Sequence, residues 1–212
     1  MKLFDLDGPV QRYGSIIFDL MVLTFIWFFI TLFSFGLLGG IATTAFYHAV
    51  YHSVLDSSGS SLGLFFKTFR RKFIVATATY LTVIIALSIS ILCAYWVYTG
   101  IITIFWLLPV YLFLTLELLF VLTYLFPMLA HTSYKYKDVL KMSFLVAGRH
   151  LPTTILVSAL TLGGIFFGFV LMQGLVQLFP FFLVYTPLSI MATSYLVTKR
   201  LLSKYPFYED LV

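Results

Sequence analysis

The sequence predicts an all-α protein, a polytopic transmembrane helical bundle with about five spans and further helices at the cytoplasmic interface. Of its 212 residues, 61% are hydrophobic and 10% are charged, whereas soluble domains average roughly 45–50% apolar and 25% charged residues. The apolar residues form runs of about 20, which is the length that a helix needs to cross a bilayer. These runs lack the alternation of strands, and lipid does not tolerate an open sheet edge.

Five apolar runs within a single membrane domain, residues 1–212, qualify as spans. They cover residues 16–38, 74–98, 103–130, 153–179 and 181–198. The last run is the shortest. Pro180 and Pro187 leave its start open, because proline is favoured at the beginning of a helix and disrupts its interior.

The basic residues indicate the orientation of the spans. All lysines and arginines except Lys2 and Arg12 lie in three segments, residues 41–73, 131–152 and 199–204. The connections near 99–102 and 176–181 hold none. The positive-inside rule therefore predicts that the three basic segments are cytoplasmic. An odd number of crossings then places the N-terminus outside and the C-terminus in the cytoplasm. This topology accounts for the net charge of +5 without a nucleic-acid partner.

Two amphipathic stretches, residues 62–72 and 137–150, are predicted to be helices on the cytoplasmic surface. Each precedes two spans. Residues 55–130 and 131–200 therefore form a candidate parallel repeat, in which both units start in the cytoplasm.

Glu117 is the polar residue that the sequence singles out most clearly, because it lies near the middle of the third span. A charge at that depth costs about 2.5–3.5 kcal/mol on insertion scales. No lysine or arginine lies at a similar depth to pair with it. One interpretation is a ligand or proton site in a transport path, and the other is a protonated or hydrogen-bonded carboxyl that ties two helices together.

Three polar residues lie near predicted span ends. Asp19 is predicted at the outer end of the first span, where it would accept hydrogen bonds from the first helical turn. Gln173 and Gln177 lie one turn apart near the outer end of the fourth span. They would face headgroups, another helix or a sugar hydroxyl.

His48, His52 and Asp56 recur every four residues, so on a helix they share one face that could bind a metal. No second cluster completes such a site. Polar residues of an interfacial helix that face water explain the spacing equally well, and we therefore predict no metal.

Small residues recur four apart in three of the predicted spans. They are Gly36 and Gly40, then Ala86, Ser90 and Ala94, then Gly164 and Gly168. This spacing lets helices approach closely, within the chain or with a partner, and it implies no chemistry.

The sequence contains none of the familiar enzyme motifs. It has no Walker A sequence, no dinucleotide-binding fingerprint, no H-E-x-x-H, no C-x-x-C and no G-x-S-x-G. The one cysteine, Cys93, lies in an apolar run and reads as a small buried hydrophobe. We predict neither an enzyme nor a cofactor.

Several stretches in the first third of the chain are distinctive. The chain opens with Phe4-Asp-Leu-Asp-Gly-Pro-Val-Gln-Arg-Tyr-Gly, and Asp19-Leu begins the apolar run that contains Trp27. Gly39-Gly-Ile-Ala-Thr-Thr-Ala-Phe-Tyr closes the run, and Phe65-Phe-Lys-Thr-Phe-Arg-Arg-Lys-Phe follows. In this order they resemble the YesL family of small bacterial integral membrane proteins, whose molecular function is unassigned. The resemblance covers residues 4–75 and continues in hydropathy over the rest.

Members of this family tend to be encoded beside ABC importers and enzymes for complex carbohydrates. The resemblance therefore implies an accessory subunit of an oligosaccharide ABC importer in the bacterial plasma membrane, which stabilises or regulates the permease. The residues expected to contact the permease or the ATPase are Gly36, Gly40, Gly164, Gly168, Phe66, Phe69, Arg70, Arg71, Lys141 and Arg149. Two alternatives stay open: a small-molecule transporter or channel that uses Glu117, and a structural or signalling membrane module.

Overall fold

Helices dominate the chain in the computed structural model, which describes residues 9–54, 61–132, 135–172 and 179–197. They are α1 (Pro9–Phe33), α2 (Gly39–Val54), α3 (Ser61–Arg71), α4 (Phe73–Tyr98), α5 (Leu108–His131), α6 (Tyr136–Arg149), α7 (Leu151–Met172) and α8 (Phe179–Ser194). A short 3₁₀ turn, Phe105–Leu107, precedes α5. No strand occurs in these ranges, so the predicted all-α class is confirmed.

Three helices are long and apolar enough to cross a membrane: Phe73–Tyr98, Phe105–His131 and Phe179–Val197. The helices Tyr136–Arg149 and Leu151–Gly164 would together make a fourth, but the chain bends by 111° between them. The long apolar helices identify a membrane-embedded protein. The finer count of five spans stays a prediction.

The first predicted span, residues 16–38, ends earlier than its hydropathy indicates. α1 stops at Phe33, and a turn follows in which Phe35 and Gly36 have φ angles of 50° and 80°. Glycine adopts this left-handed region without strain, which Phe35 does not. The turn sends the chain back along α1, and the Trp27 indole donates a hydrogen bond to Thr43 Oγ1 of α2 at 2.9 Å.

Helix α2 occupies the first part of the segment 41–73, which the sequence predicts to be cytoplasmic; that location stays a prediction, but the helix is packed among others. It contacts α1, α3, α4, α5 and α8, and most of its side chains are buried. The hydroxyl of Thr44 donates to the carbonyl of Gly40 at 2.8 Å, so this buried polar group is satisfied within the helix. Two threonines and two histidines dilute the apolar residues of α2, and for that reason hydropathy does not reveal it.

Asp19 does not lie where the sequence predicts. α1 begins at Pro9, so Asp19 is well inside the helix and cannot cap its first turn. Its Oδ2 instead accepts a hydrogen bond from the Ser61 hydroxyl, at the start of α3, at 3.3 Å. Asp19 and α3 therefore lie at the same end of the bundle, because α2 carries the chain back before α3 begins.

The two predicted surface helices are present as α3 and α6. Each buries one face, with Phe65 and Thr68 on α3 and Val139 and Val146 on α6. The basic side chains are exposed: Lys67, Arg70 and Arg71 on α3, and Lys137, Lys141 and Arg149 on α6. Lys72 follows α3 and bonds the last turn of α5, which precedes α6. Both helices therefore lie at one end, which we call the basic end. Each is followed by two longer helices, although the parallel repeat itself stays a prediction.

Two clusters of buried side chains hold the bundle together. The first joins α2 to α1, α3 and α5, with Phe46 and Phe126 among its members. The second joins α5 to α4, α6 and α7 and includes Met128 and Val146. Val197, just after α8, also belongs to the second cluster. In lipid, such van der Waals packing is a main source of helix association.

The distal parts of α4 and α5, residues 85–120, are covered mainly by each other, and we call them the α4–α5 arm. Ser90 Oγ donates to the Tyr111 carbonyl at 3.1 Å and lies 2.8 Å from Thr115 Oγ1. The large side chains elsewhere on the arm are exposed: Ile85, Ile89, Ile91, Leu92, Tyr95, Trp96, Tyr98, Trp106, Leu112, Phe113 and Leu116. The small-residue face around Ser90 is therefore an internal contact of the arm.

The last helix accommodates both of its prolines. α8 begins at Phe179 rather than at residue 181, with Pro180 in its first turn, where a missing N–H costs nothing. It continues through Pro187 to Ser194. Residues 173–178, which include Gln173 and Gln177, lie outside the described ranges.

Candidate functional site

Lys72 joins the start of α4 to the end of α5. Its ammonium donates to the carbonyl of Leu129, and at 3.0 Å to the carbonyls of Ala130 and Thr132. The last turn of a helix leaves its carbonyls without internal partners, and a cation is favourable there. Burial, with Arg71 beside it, lowers the pKa of Lys72 to about 8.

A cluster of histidines lies beside this cap at the basic end. The rings of His48 and His52 on α2 are 4.4 Å apart, and the His131 ring at the end of α5 is 6.4 Å from that of His52. His48 Nδ1 is 3.1 Å from the Thr68 hydroxyl. The Nε2 atom of His131 is buried and has no hydrogen-bond partner in the part of the chain that the structure describes.

The histidines do not provide evidence for a metal site. Among the described residues, no group of three histidine, cysteine or acidic side chains is arranged to hold a metal ion. Asp56, the third residue of the His48–His52 pattern, lies outside those ranges. The spacing of His48 and His52 predicts that they share one face, and the structure adds His131, which lies far from them in the sequence.

A cavity of about 610 Å³ lies between α1, α2, α4, α5, α7 and α8 and opens to the surface at Leu32 and Phe35. Aromatic side chains form much of its wall, among them Trp27, Phe28, Tyr80, Phe126 and Phe182. No charged side chain lines it within the described residues. A site of this size and character suits an apolar ligand.

Glycines of α2 shape one wall of the cavity. A Cβ at Gly40 would overlap the base of the Tyr80 side chain, and a Cβ at Gly39 would lie 3.4 Å from the Tyr80 hydroxyl. Only glycine at position 40 lets α4 approach α2 this closely. Tyr80 is thereby held at the cavity wall, 6.1 Å from Phe126 between ring centroids.

Hydroxyl groups interrupt the apolar wall of the cavity. Tyr47 of α2 lies beside Thr161 of α7 and Thr193 of α8. Ser189 donates to the Thr186 carbonyl at 2.9 Å. The Thr186 hydroxyl itself is buried and has no partner among the described residues. The Thr186 oxygen is itself covered by neighbouring atoms.

Glu117 lies apart from both the cavity and the histidine cluster. It is half-buried on α5, within the α4–α5 arm, and it does not line the cavity. No hydrogen bond or ion pair reaches its carboxylate from the described residues. The structure thus brings none of the other predicted site residues to Glu117.

The structure describes the surroundings of three of the four glycines that are predicted to contact a partner. Gly36 is in the turn after α1 and lines the cavity, and Gly40 is covered by Tyr80. Gly164 also lines the cavity, and a Cβ there would lie 3.8 Å from Tyr185. Nothing is described for the surroundings of Gly168. Gly40 therefore serves packing within the chain, and a contact of the other glycines with a partner stays a prediction.

The other predicted contact residues lie on the outside of the basic end. Phe66 is 49% exposed, whereas Phe69 is half-buried and packs against both core clusters. Arg70, Arg71, Lys141 and Arg149 are exposed. This surface is open to a partner.

The cavity is the feature that sequence reasoning missed. Its wall comes from six helices, and residues so far apart carry no common local pattern. One weak signal was present, namely hydroxyl residues Thr186, Ser189 and Thr193 at helical spacing in an otherwise apolar run. Comparison with protein-family models, curated proteins and solved structures finds no match.

Proposed function

We propose that this chain is an integral membrane accessory subunit that acts by docking on a membrane complex. The YesL resemblance implies the partner, a bacterial carbohydrate ABC importer whose permease the chain would stabilise or regulate. The α4–α5 arm contacts the permease within the membrane, and the exposed residues of α3 and α6 contact the importer at the cytoplasmic surface.

The position of Glu117 is the observation that carries this proposal. The arm exposes apolar side chains on most of its surface, which suits either lipid or a partner helix. Its one carboxylate is half-buried without a hydrogen bond from the described residues. An ionisable group in this position is costly in lipid and calls for a polar partner. A helix of a neighbouring subunit would supply that partner.

The same position favours docking over transport. A transporter or channel that uses Glu117 would need the carboxylate to face a polar path. The cavity in the described part of the bundle lacks Glu117 and carries no charged side chain. A path through this cavity would therefore give Glu117 no role.

Both ends of the described chain lie on the cytoplasmic side in this proposal. The exposed lysines and arginines of α3 and α6 favour a cytoplasmic basic end. Asp19 of α1 contacts Ser61 there. Helix α8 runs toward the same end, because its Phe182 lies beside Trp27 and its later residue Thr193 lies beside Tyr47 of α2. This arrangement replaces the expected extracellular N-terminus, because α1 and α2 together return the chain to the side where α1 starts.

Purification in a mild detergent, with quantitative mass spectrometry of the co-purifying proteins, tests the proposal. We expect importer permease and ATPase subunits at a fixed ratio to this chain. Glu117→Leu should reduce that ratio several-fold. Leu162→Ala is the control, because Leu162 is an exposed residue of α7 and belongs neither to the arm nor to α3 or α6.

Recovery of the folded chain without any transporter subunit would contradict the proposal. So would equal recovery of the importer with wild type and Glu117→Leu, since docking would then not involve the arm. Vesicles that contain only the wild-type chain can be compared with vesicles that contain only the Glu117→Gln variant. Flux in the first and none in the second would support the transporter alternative.

A further inference from the structure

We propose that α1 and α2 form a re-entrant hairpin, which enters the membrane from the basic end and turns back within the hydrocarbon. The surface that contacts lipid tails in the middle of the bilayer is the turn at residues 34–38, which we call the α1–α2 turn. Its test needs only this chain and lipid, so it is independent of the importer.

The inserted parts of the two helices are too short to cross a bilayer. Asp19 lies at the basic end beside Ser61, which leaves residues 20–33 of α1, about 21 Å of helix. Helix α2 has 16 residues and is about 24 Å long. A hydrocarbon core is about 30 Å thick. A hairpin that starts at the basic end therefore turns back before it reaches the far side.

The contact between Gly40 and Tyr80 fixes the depth of the α1–α2 turn. A Cβ at Gly40 would overlap the base of Tyr80, which is about 10 Å along α4 from its start at the basic end. The turn lies just beyond this level, and its Phe35 lines the cavity together with Ile84, one helical turn further along α4. About 21 Å of α4 extends past Ile84. The α1–α2 turn is therefore near the middle of α4.

The backbone of the α1–α2 turn suits hydrocarbon. Lipid tails cannot accept hydrogen bonds, so each N–H at that depth needs an acceptor in the chain. Every N–H from residue 34 to residue 39 has one within 3.1 Å: Leu38 donates to Ser34 Oγ, and the others donate to carbonyl oxygens. The Ser34 hydroxyl in turn donates to the Thr31 carbonyl at 3.2 Å. The turn therefore needs no water to satisfy its donors.

The side chains of the α1–α2 turn also suit lipid tails. Phe35 is 94% exposed, Phe33 and Leu37 beside it are exposed as well, and residues 33–38 carry no charge. The connection between α4 and α5 differs, because the exposed Trp96 and Trp106 flank it. Tryptophan is enriched at membrane–water interfaces. The two turns therefore belong to different depths, the interior and the far surface.

This depth determines what surrounds the mouth of the cavity. The cavity opens at Leu32 and Phe35, so in the re-entrant arrangement its mouth faces lipid tails. An ion or a sugar would have to leave water before it reached this opening, which is costly. The hairpin therefore closes this mouth to polar solutes.

Quenching by brominated lipids measures the depth of the turn. In a Cys93→Ala background, Phe35→Cys would be labelled with NBD in detergent and reconstituted into phosphatidylcholine vesicles. We expect bromines at acyl carbons 11 and 12 to quench this label about twofold more strongly than bromines at carbons 6 and 7, because the former lie near the centre of the bilayer. Ile101→Cys is the matched control, since Ile101 is also an exposed apolar residue of a turn. Its label should show the opposite order.

Reaction with a membrane-impermeant maleimide gives a second measurement in sealed vesicles. Phe35→Cys should react from neither side until SDS is added. Ile101→Cys should react from the side opposite to that of Lys67→Cys. Phe33→Cys serves if Phe35→Cys does not fold, because Phe33 is exposed at the end of α1.

Three results would overturn the proposal. Reaction of Phe35→Cys from the same side as Ile101→Cys would show that α1 and α2 cross the whole bilayer. Reaction from the same side as Lys67→Cys would place the turn in water. Protection from the maleimide without quenching by either bromine would show that protein, and not lipid, covers the turn.

Discussion

Tyr80 of α4 lies against Gly40 of α2 so closely that a Cβ at position 40 would overlap the base of the tyrosine side chain. Because the overlapping atoms are near the backbone, a rotamer change of Tyr80 cannot relieve the overlap. We expect Gly40→Ala to lower the free energy of unfolding by about 1–3 kcal/mol, as overpacking does. Unfolding by SDS in mixed micelles, followed by circular dichroism, measures this.

Alanine substitutions at two other glycines provide the comparison for Gly40→Ala. Gly39→Ala should cost less, because the nearest atom is the mobile Tyr80 hydroxyl at 3.4 Å. Gly148→Ala should be neutral or slightly stabilising, since its Cβ meets nothing within 4 Å and alanine favours the helix. Equal effects at positions 40 and 148 would show that α2 and α4 do not pack as described.

The hydrogen bond from Trp27 to Thr43 gives a second prediction. Thr43→Val keeps the side-chain shape but leaves the partly buried indole N–H without its partner. We expect a loss of about 1–3 kcal/mol in the free energy of unfolding. Thr99→Val is the control, because Thr99 is exposed and bonds only to its own helix. If Trp27→Phe is made first, Thr43→Val should then cost much less, and an unchanged cost would rule out this bond.

The lowered pKa of Lys72 predicts how the free energy of unfolding depends on pH. Its pKa is about 8 in the folded chain and 10.5 as its ordinary value. Between these values the unfolded chain holds a proton that the folded chain has released, so stability rises with pH over that range. The rise amounts to about 3 kcal/mol at most.

The difference in unfolding free energy between wild type and Lys72→Met isolates this contribution. It should increase in favour of wild type from about pH 8 to pH 10.5, and it should be flat below pH 7. Lys137→Met on the exposed face of α6 should show no such trend. A flat difference over the whole range would mean that Lys72 keeps its ordinary pKa when folded.

Cysteine labelling tests the arrangement of the ends. In a Cys93→Ala background, Arg12→Cys, Lys67→Cys and Lys141→Cys should react with a membrane-impermeant maleimide from one side of the membrane. Thr99→Cys, at the far end of α4, should react from the other side. Labelling of Arg12→Cys together with Thr99→Cys would restore the five-span topology with an extracellular N-terminus.

Hydropathy predicted the helices that lipid itself stabilises. The run 74–98 coincides closely with Phe73–Tyr98, because that helix is apolar on nearly every side. The amphipathic stretches were also recognised, since α3 and α6 bury one face and expose charge on the other. Long apolar helices and strongly amphipathic helices can therefore be recognised from their own residues.

Helix α2 and the cavity could not be predicted in this way. α2 is stabilised by its neighbours, and Thr44 and His48 fit there only because Gly40 and Thr68 accept or share their hydrogen bonds. The wall of the cavity comes from six helices, so no local stretch of the sequence carries its pattern.

The buried position of α2 has a consequence for how the protein is made. Insertion machinery sorts each segment by its own affinity for lipid, and α2 alone has a low affinity because of its polar side chains. In the folded chain these side chains bond to Trp27 and Thr68 and are covered by the flanking helices. We expect α2 to insert together with α1 and to reach its final packing only when α4 and α5 have been synthesised. A chain that stalls before α5 would lack the contacts of α2 with α5. We expect membrane proteases to degrade such an incomplete chain.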